Sequence, residues 1–176
     1  ERAGDRMGAA YADFVEWRRD NTSFEDMAGW VRRTYNLTGV GEPLRLQGVT
    51  ANASLFDIWN LGALHGRVLQ KDDDRPGAPR VALLSHGFWS RQFGADPAVV
   101  GRVLNLDGVP HEVVGVLTPA IEIGNFSEID LWTALTPVAD PDEREARTLR
   151  VTGRLGPGVD IGKANAELRT LAARQE

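Results

Sequence analysis

Residues 81–94 read Val81-Ala82-Leu83-Leu84-Ser85-His86-Gly87-Phe88-Trp89-Ser90-Arg91-Gln92-Phe93-Gly94, and residues 102–116 read Arg102-Val103-Leu104-Asn105-Leu106-Asp107-Gly108-Val109-Pro110-His111-Glu112-Val113-Val114-Gly115-Val116. Four consecutive apolar residues predict a short strand covered on both faces, because a strand with one wet face would alternate. Ser85 offers a hydroxyl to cap the helix that follows, and Gly94 suits the left-handed conformation that ends it. Asp96-Pro97 supplies a second cap with proline at the first helical position. Asp107-Gly108 predicts a tight hairpin, since both turn positions need positive φ. This succession makes a packed α+β unit and names no activity.

Upstream, Tyr11, Phe14, Val15 and Trp17 share one helical stripe. Thr22 with Glu25, or Ser23 with Asp26, forms a capping-box pattern ahead of Phe24, Met27 and Ala28. Residues 30–37 and 44–50 read as paired strands around Gly39-Val40-Gly41-Glu42-Pro43. A short helix over 54–61 stops at Gly62, and residues 66–79, with Asp72-Asp73-Asp74-Arg75-Pro76-Gly77, form the most polar loop. Downstream, Leu131-Trp132-Thr133-Ala134-Leu135 precedes a charged stretch over 140–147. Residues 149–155 then alternate, with Leu149, Val151 and Leu155 on one face and Arg150, Thr152 and Arg154 on the other, as in a half-buried strand. After Gly156-Pro157-Gly158, Asp160 caps a helix whose Ile161, Ala164, Leu168, Leu171 and Ala172 form one apolar stripe.

With 176 residues, 42% hydrophobic and 26% charged, the composition is that of an ordinary globular protein, large enough to bury roughly 70% of its unfolded-chain surface. A net charge of −5 removes the electrostatic basis for binding nucleic acid or anionic membranes. The absence of cysteine excludes disulfides and thiolate chemistry and leaves the compartment open. No apolar run reaches the ~18–20 residues of a membrane span. The charged opening Glu1-Arg2-Ala3-Gly4-Asp5-Arg6 is not a signal peptide, so of a membrane protein only the soluble part would be present.

Motifs for catalysis or ligation are weak. The stretch Gly156-Pro157-Gly158-Val159-Asp160-Ile161-Gly162-Lys163-Ala164 has the wrong glycine spacing for a phosphate loop and an alanine where a hydroxyl would hold magnesium. It reads as a turn and a helix cap. Ser85 and His86 are sequence neighbours whose side chains diverge, so they read as a cap beside an ordinary histidine. His65, His86 and His111 are too scattered for zinc, and Asp72, Asp73 and Asp74 lack the spacing of an EF-hand loop. Trp17, Trp30, Trp59, Trp89 and Trp132 read as core anchors. Asn21, Asn36, Asn52 and Asn125 open Asn-x-Ser/Thr patterns that we read as caps and turns, not as glycosylation acceptors. No catalytic, cofactor-binding or metal-binding residue is assigned, and this chain is expected to be no enzyme.

The order and spacing of several phrases carry a resemblance. Besides residues 81–94 they are Asn36-Leu37-Thr38-Gly39, Gly41-Glu42-Pro43, Ala51-Asn52-Ala53-Ser54-Leu55-Phe56-Asp57, Gly66-Arg67-Val68-Leu69, Asp96-Pro97-Ala98-Val99-Val100-Gly101-Arg102, Val113-Val114-Gly115-Val116, Asp130-Leu131-Trp132 and Gly153-Arg154-Leu155-Gly156-Pro157-Gly158-Val159. Together they span most of residues 11–175, and in that order the chain resembles the extracytoplasmic domain of MacB-like ABC transporter permeases, particularly those with a duplicated permease unit. The resemblance implies an insertion between two membrane helices of a bacterial permease, facing the periplasm or cell exterior. It implies an α+β fold with a discontinuous porter-like α/β subdomain (1–55 and 130–176) and an inserted, mostly β sabre-like subdomain (56–129). The implied partners are the protein's own transmembrane helices, a second permease subunit or half, an ATP-binding subunit, and a periplasmic adaptor or substrate protein. ATP hydrolysis would reside in a separate nucleotide-binding domain, no cofactor is implied, and the implied role is mechanical transmission or efflux. Family members carry a strand before the first helix, whereas residues 1–10 here are polar and small, which predicts a porter sheet short of a strand.

Two other classes stay open: an extracytoplasmic binding module for a lipid, peptide or sugar, expected to show a deep apolar cavity between subdomains, and a hydrolase built on carboxylates such as Asp72 and Asp73. The transporter reading expects residues 149–155 to pair with residues 30–37 or 44–50. It expects the hairpin of residues 102–117 to stay out of that sheet, and residues 149–155 not to share a sheet with the Val81 strand.

Overall fold

A computed structural model describes residues 8–119, 126–136 and 148–173. Helix α1 (Tyr11–Asp20) leads into β1 (Phe24–Thr38), a strand of 15 residues. There follow β2 (Leu44–Ala51), α2 (Ser54–Ile58), β3 (Ala63–Gly66), β4 (Val81–Leu84), α3 (His86–Phe93), a 3-10 turn (Pro97–Val99), β5 (Val103–Leu106) and β6 (Val109–Leu117). β7 (Leu131–Ala134), β8 (Arg150–Leu155) and a last helix, here α4 (Ile161–Ala172), complete the described elements.

All eight strands belong to one mixed sheet, and six of them close on themselves. β1 pairs antiparallel with β2 from Trp30↔Ala51 to Leu37↔Leu44, and β2 runs parallel to β7. The circuit continues β7–β4–β6–β5 and returns to β1 through Leu37↔Leu106 and Thr38↔Asn105. β3 is attached to β6, and β8 to the first half of β1, outside this barrel. The closing contact between β5 and β1 is only two residue pairs long, so the barrel is partly open along β1 between its β8 and β5 partners.

Alternation along the strands sorts the core into two layers. Leu37, Leu46, Ala82, Leu84, Leu104, Leu106, Val113 and Leu131 come from all six barrel strands and form the interior cluster, which Phe88 and Trp89 of α3 and Val99 join at the end where β4 runs out. Val49, Ala51, Val81, Leu83, Leu117 and Trp132 face outward and are covered by Leu55 and Phe56 of α2 and by Leu69. The four-residue apolar run 81–84 is thus buried on both faces, as its composition requires. Inside the barrel the Tyr35 ring lies over Gly48, where a Cβ would stand 2.6 Å from it.

A third cluster belongs to the chain ends: Ala9, Phe14, Met27, Leu135 and Leu149, with Tyr11, Trp17, Phe24, Val151 and Leu168 against it. Here β8 pairs with β1 from Phe24↔Leu155 to Trp30↔Arg150, and Ala9 makes an antiparallel bridge to Leu149. Helix α1 packs against α4.

Local signals held where their hydrogen bonds are local. Ser85 Oγ accepts from Phe88 N–H at 3.1 Å, Gly94 sits at φ 60°, and Asp96 caps the 3-10 turn through Ala98 N–H at 2.9 Å. Asp107 and Gly108 take φ 51° and 80° in the hairpin.

Several expectations are corrected. The β5–β6 hairpin does not stay apart: Asn36 N–H and Nδ2 both donate to Asp107 Oδ1, and pairing with β1 helps bury Leu104 and Leu106, each 1% exposed. Residues 149–155 and the Val81 strand do share one sheet, because β1 is long enough to serve both the chain ends and the barrel. β8 meets residues 24–30 of β1 and touches the expected stretch 30–37 only at Trp30. The capping-box pattern at Thr22 and Ser23 starts no helix, since both backbone N–H groups donate to the Glu167 carboxylate and Phe24 begins β1. α2 ends at Ile58, three residues early, with Asn60 at φ 52°. Ile161, expected on the apolar stripe of α4, is 70% exposed. The charged stretch 140–147 lies outside the described residues.

Candidate functional site

The unit formed by the chain ends meets the barrel along a seam. β1 is its spine: residues 24–30 pair with β8, and residues 30–37 pair with β2. Trp30 sits at the crossover and pairs with both Ala51 and Arg150. Its indole N–H donates to Thr152 Oγ1 at 3.1 Å, the Arg150 guanidinium lies 5.2 Å above its ring, and its ring meets those of Phe126 and Trp59 edge-on at 5.1 and 6.1 Å.

Helix α2 is strapped at both ends by arginines from the chain ends. Arg18 of α1 donates to Ser54 Oγ at 2.7 Å and to Asp26 at 3.1 Å. Arg154 of β8 donates to the carbonyls of Asp57 and Ile58 at 2.8 and 2.9 Å, satisfying groups that a helix C-terminus leaves open and that favour a cation. At the other end Asp74 accepts from Ala53 N–H at 2.9 Å. Burial raises the Asp74 carboxyl to about 6, with the Ala53 hydrogen bond and Arg18 opposing the rise. On the far side of α1, Glu167 of α4 takes hydrogen bonds from Ser23 and Thr22, which hold its carboxyl down at about 2. A cleft of about 360 Å³ at the seam has a lining more apolar than polar, with Phe14, Val15 and Leu135 beside Arg18, Asn52 and Asp74.

The residues singled out in the sequence are dispersed. Asp73 forms a bidentate pair with Arg67 (2.6 and 3.0 Å) and caps Gln70, while Asp72 is exposed with Arg75 at 3.5 Å, so the two aspartates do not share a cleft. His65 and His86 approach the Trp89 ring at 5.1 and 5.4 Å, and His111 is buried against the Val109 carbonyl, its pKa lowered by burial. Trp30, Trp89 and Trp132 are buried, and Trp17 and Trp59 pack at the edges of the clusters. Asn21 closes α1 from behind through Nδ2 to the Trp17 and Arg18 carbonyls and does not open a helix. Asn36 is spent on Asp107 and Asn52 on Gly29, and Asn125 lies outside the described residues. Sequence reasoning gave Arg18, Arg154 and Glu167 no role and weighed Asp74 only as a metal ligand. Each is an ordinary charged residue until the tertiary fold gives it a distant partner.

The family model described as the MacB-like periplasmic core domain matches residues 2–171. Among curated proteins none matches. Among solved structures the chain is similar to the periplasmic region of MacB from Actinobacillus actinomycetemcomitans, with TM-score 0.77, 16% identity, 99% of this chain and 77% of that chain covered. It is also similar to the extracellular domain of the noncanonic ABC-type transporter YknZ from Gram-positive bacteria, with TM-score 0.72, 14% identity, and 97% and 86% covered.

Proposed function

The chain belongs to the MacB-like periplasmic core domain family, and from that premise we propose that it relays ATP-driven motion of an ABC transporter permease to substrate or partner proteins outside the membrane. The proposed setting is a bacterial cell membrane with this domain on its periplasmic or extracellular side. Its proposed partners are its own transmembrane helices, a second permease subunit or half, an ATP-binding subunit, and a periplasmic adaptor or substrate protein.

One observation carries this reading. β1 runs unbroken from the unit formed by the two chain ends into the closed barrel, and α2 is held to that unit by Arg18 and Arg154. A push on the chain ends therefore moves the barrel as a lever. We keep the division into a porter-like part (1–55 and 130–176) and a sabre-like part (56–129) as a proposal, supported by the core cluster that joins Phe14 and Met27 to Leu149 and Leu168. The barrel takes β1, β2 and β7 from the porter-like segments, so the two parts share strands.

Distance measurements in the full transporter test the lever. Val103, on the barrel, and Ile161, on α4, are 62% and 70% exposed and suit spin labels placed by cysteine substitution in a Cys-free background. Trapping the ATP-bound state is expected to change the Val103–Val103 distance between two permease copies while the Val103–Ile161 distance within one copy holds. An inter-copy distance that ignores ATP would sink the proposal.

A further inference from the structure

The interior of the barrel is apolar at the α3 end and polar at the other. There Tyr35 of β1, Thr50 of β2 and Thr133 of β7 bring three hydroxyls together, with oxygen separations of 2.8, 2.9 and 3.0 Å. All three side chains are buried, and Gly48 leaves the space that the Tyr35 ring occupies. Above them opens a cavity of about 420 Å³, into whose rim Arg33 and Arg80 project beside His111. That volume lies within the roughly 300–1,000 Å³ common for small-ligand pockets. Both arginines are exposed at the cavity, and among the described residues neither forms an ion pair.

The donors and acceptors of this cavity are segregated apart from Asp107, a carboxylate in the lining that is already engaged by Asn36 N–H and Nδ2. Three mutually bonded hydroxyls satisfy one another when each gives its hydrogen to the next, and each oxygen then keeps one lone pair. The floor therefore offers acceptors to incoming hydroxyl groups. The rim offers two guanidinium groups, whose planar forks match carboxylate or phosphate oxygens. A neutral sugar leaves the arginines without an anion, and a bare anion leaves the floor unused.

We propose that the mouth of the barrel binds a small polyhydroxylated acid, a sugar bearing a carboxylate or phosphate, with its anionic group at Arg33 and Arg80 and its hydroxyls on Tyr35, Thr50 and Thr133. The site is separate from the lever of the seam, and it stands or falls independently of the transmission role.

Calorimetry on the purified 176-residue chain at fixed ionic strength tests it, with D-glucuronate, glucose 1-phosphate, glucose and acetate as probes. The expected result is saturable binding of glucuronate or glucose 1-phosphate, whichever is preferred distinguishing carboxylate from phosphate, with glucose and acetate each at least about tenfold weaker. Arg33→Gln and Arg80→Gln change exposed residues, so both variants fold, and each is expected to weaken the preferred acid about tenfold or more. Arg45→Gln, on an exposed position of β2 outside the cavity, is expected to leave affinity unchanged. Tyr35→Phe should raise the dissociation constant of the acid sugar while sparing the weak binding of acetate. Absence of saturable binding of either acid sugar at 10 mM (about the weakest affinity of interest), equal affinity for acetate, or loss of affinity in Arg45→Gln equal to that in Arg80→Gln overturns the proposal.

Discussion

The barrel and the unit made from the chain ends are built to different standards. In the barrel, Leu83, Leu84, Leu117 and Leu131 are fully buried and Trp132 is 1% exposed, so the sheet is packed on its inner and outer faces. In the end unit a smaller cluster of Ala9, Phe14, Met27, Leu135 and Leu149 is buried; among the described residues its helices bury only Phe14 of α1 and Ala164 and Leu171 of α4, and no residue of β8 from Arg150 to Leu155 is fully buried. Apolar burial drives folding at roughly 25 cal/mol per Å², so the barrel can stand as the stable body while the end unit depends on β1, its smaller apolar cluster and a few polar ties.

The sharpest test of that contrast removes a large side chain from the barrel. Trp132→Ala is expected to cost about 3–5 kcal/mol and Leu131→Ala about 2–5 kcal/mol, read as a fall in the denaturation midpoint. Because β1 serves both regions, hydrogen exchange should show the end unit losing protection together with the barrel. An end unit that stays protected in Trp132→Ala would break the comparison.

A smaller loss is expected from Gly48→Ala, whose added Cβ meets the Tyr35 ring at 2.6 Å. Overpacking of this kind costs about 1–3 kcal/mol. Unchanged stability would mean that the polar end of the barrel has slack, and would sharpen the boundary of its rigid part.

At the seam, Arg154→Ala frees the carbonyls of Asp57 and Ile58. A loss of about 1 kcal/mol is expected, with faster amide exchange confined to α2 and β8. Faster exchange throughout β4 and β6 would show that the strap supports the barrel itself.

The smallest effect is a pH dependence. The Asp74 carboxyl is raised from 3.8 to about 6, so the native state binds its proton more tightly than the unfolded chain does. Its contribution to stability is greatest below pH 4 and is lost as pH rises through about 6. Wild type should therefore gain on Asp74→Asn between pH 7 and 5, seen as a shift in the difference of their melting temperatures. Glu167 works in the opposite direction: lowered from 4.5 to about 2, it stabilises above 4.5 and loses that contribution as pH falls toward 2. Glu167→Gln should flatten the acid limb of the stability curve and leave the window from pH 7 to 5 untouched.

Much of this was legible in one dimension. The apolar run 81–84, the Ser85 and Asp160 caps, the Asp107-Gly108 hairpin and the pairing of residues 30–37 with 44–50 each depend on neighbours within a few residues, or on an alternation that burial enforces, and all are present. The order of those elements also carried the family. Two features escaped: the closure of six strands into a barrel, and the continuation of β1 back to Phe24 through a capping-box pattern. Local propensity at Thr22 and Ser23 favoured a helix start, yet the Glu167 carboxylate, 145 residues from Thr22 and 144 from Ser23, took the same N–H groups. The sequence by itself determined most of the elements, the Ser85, Asp96 and Asp160 caps and the family, because those follow from short-range hydrogen bonding and periodicity. The tertiary structure alone decided the barrel, the arginine straps on α2 and the hydroxyl cluster at its mouth, because each requires residues far apart in the chain to meet, and no local pattern records which distant partner a charged or hydroxyl side chain will find.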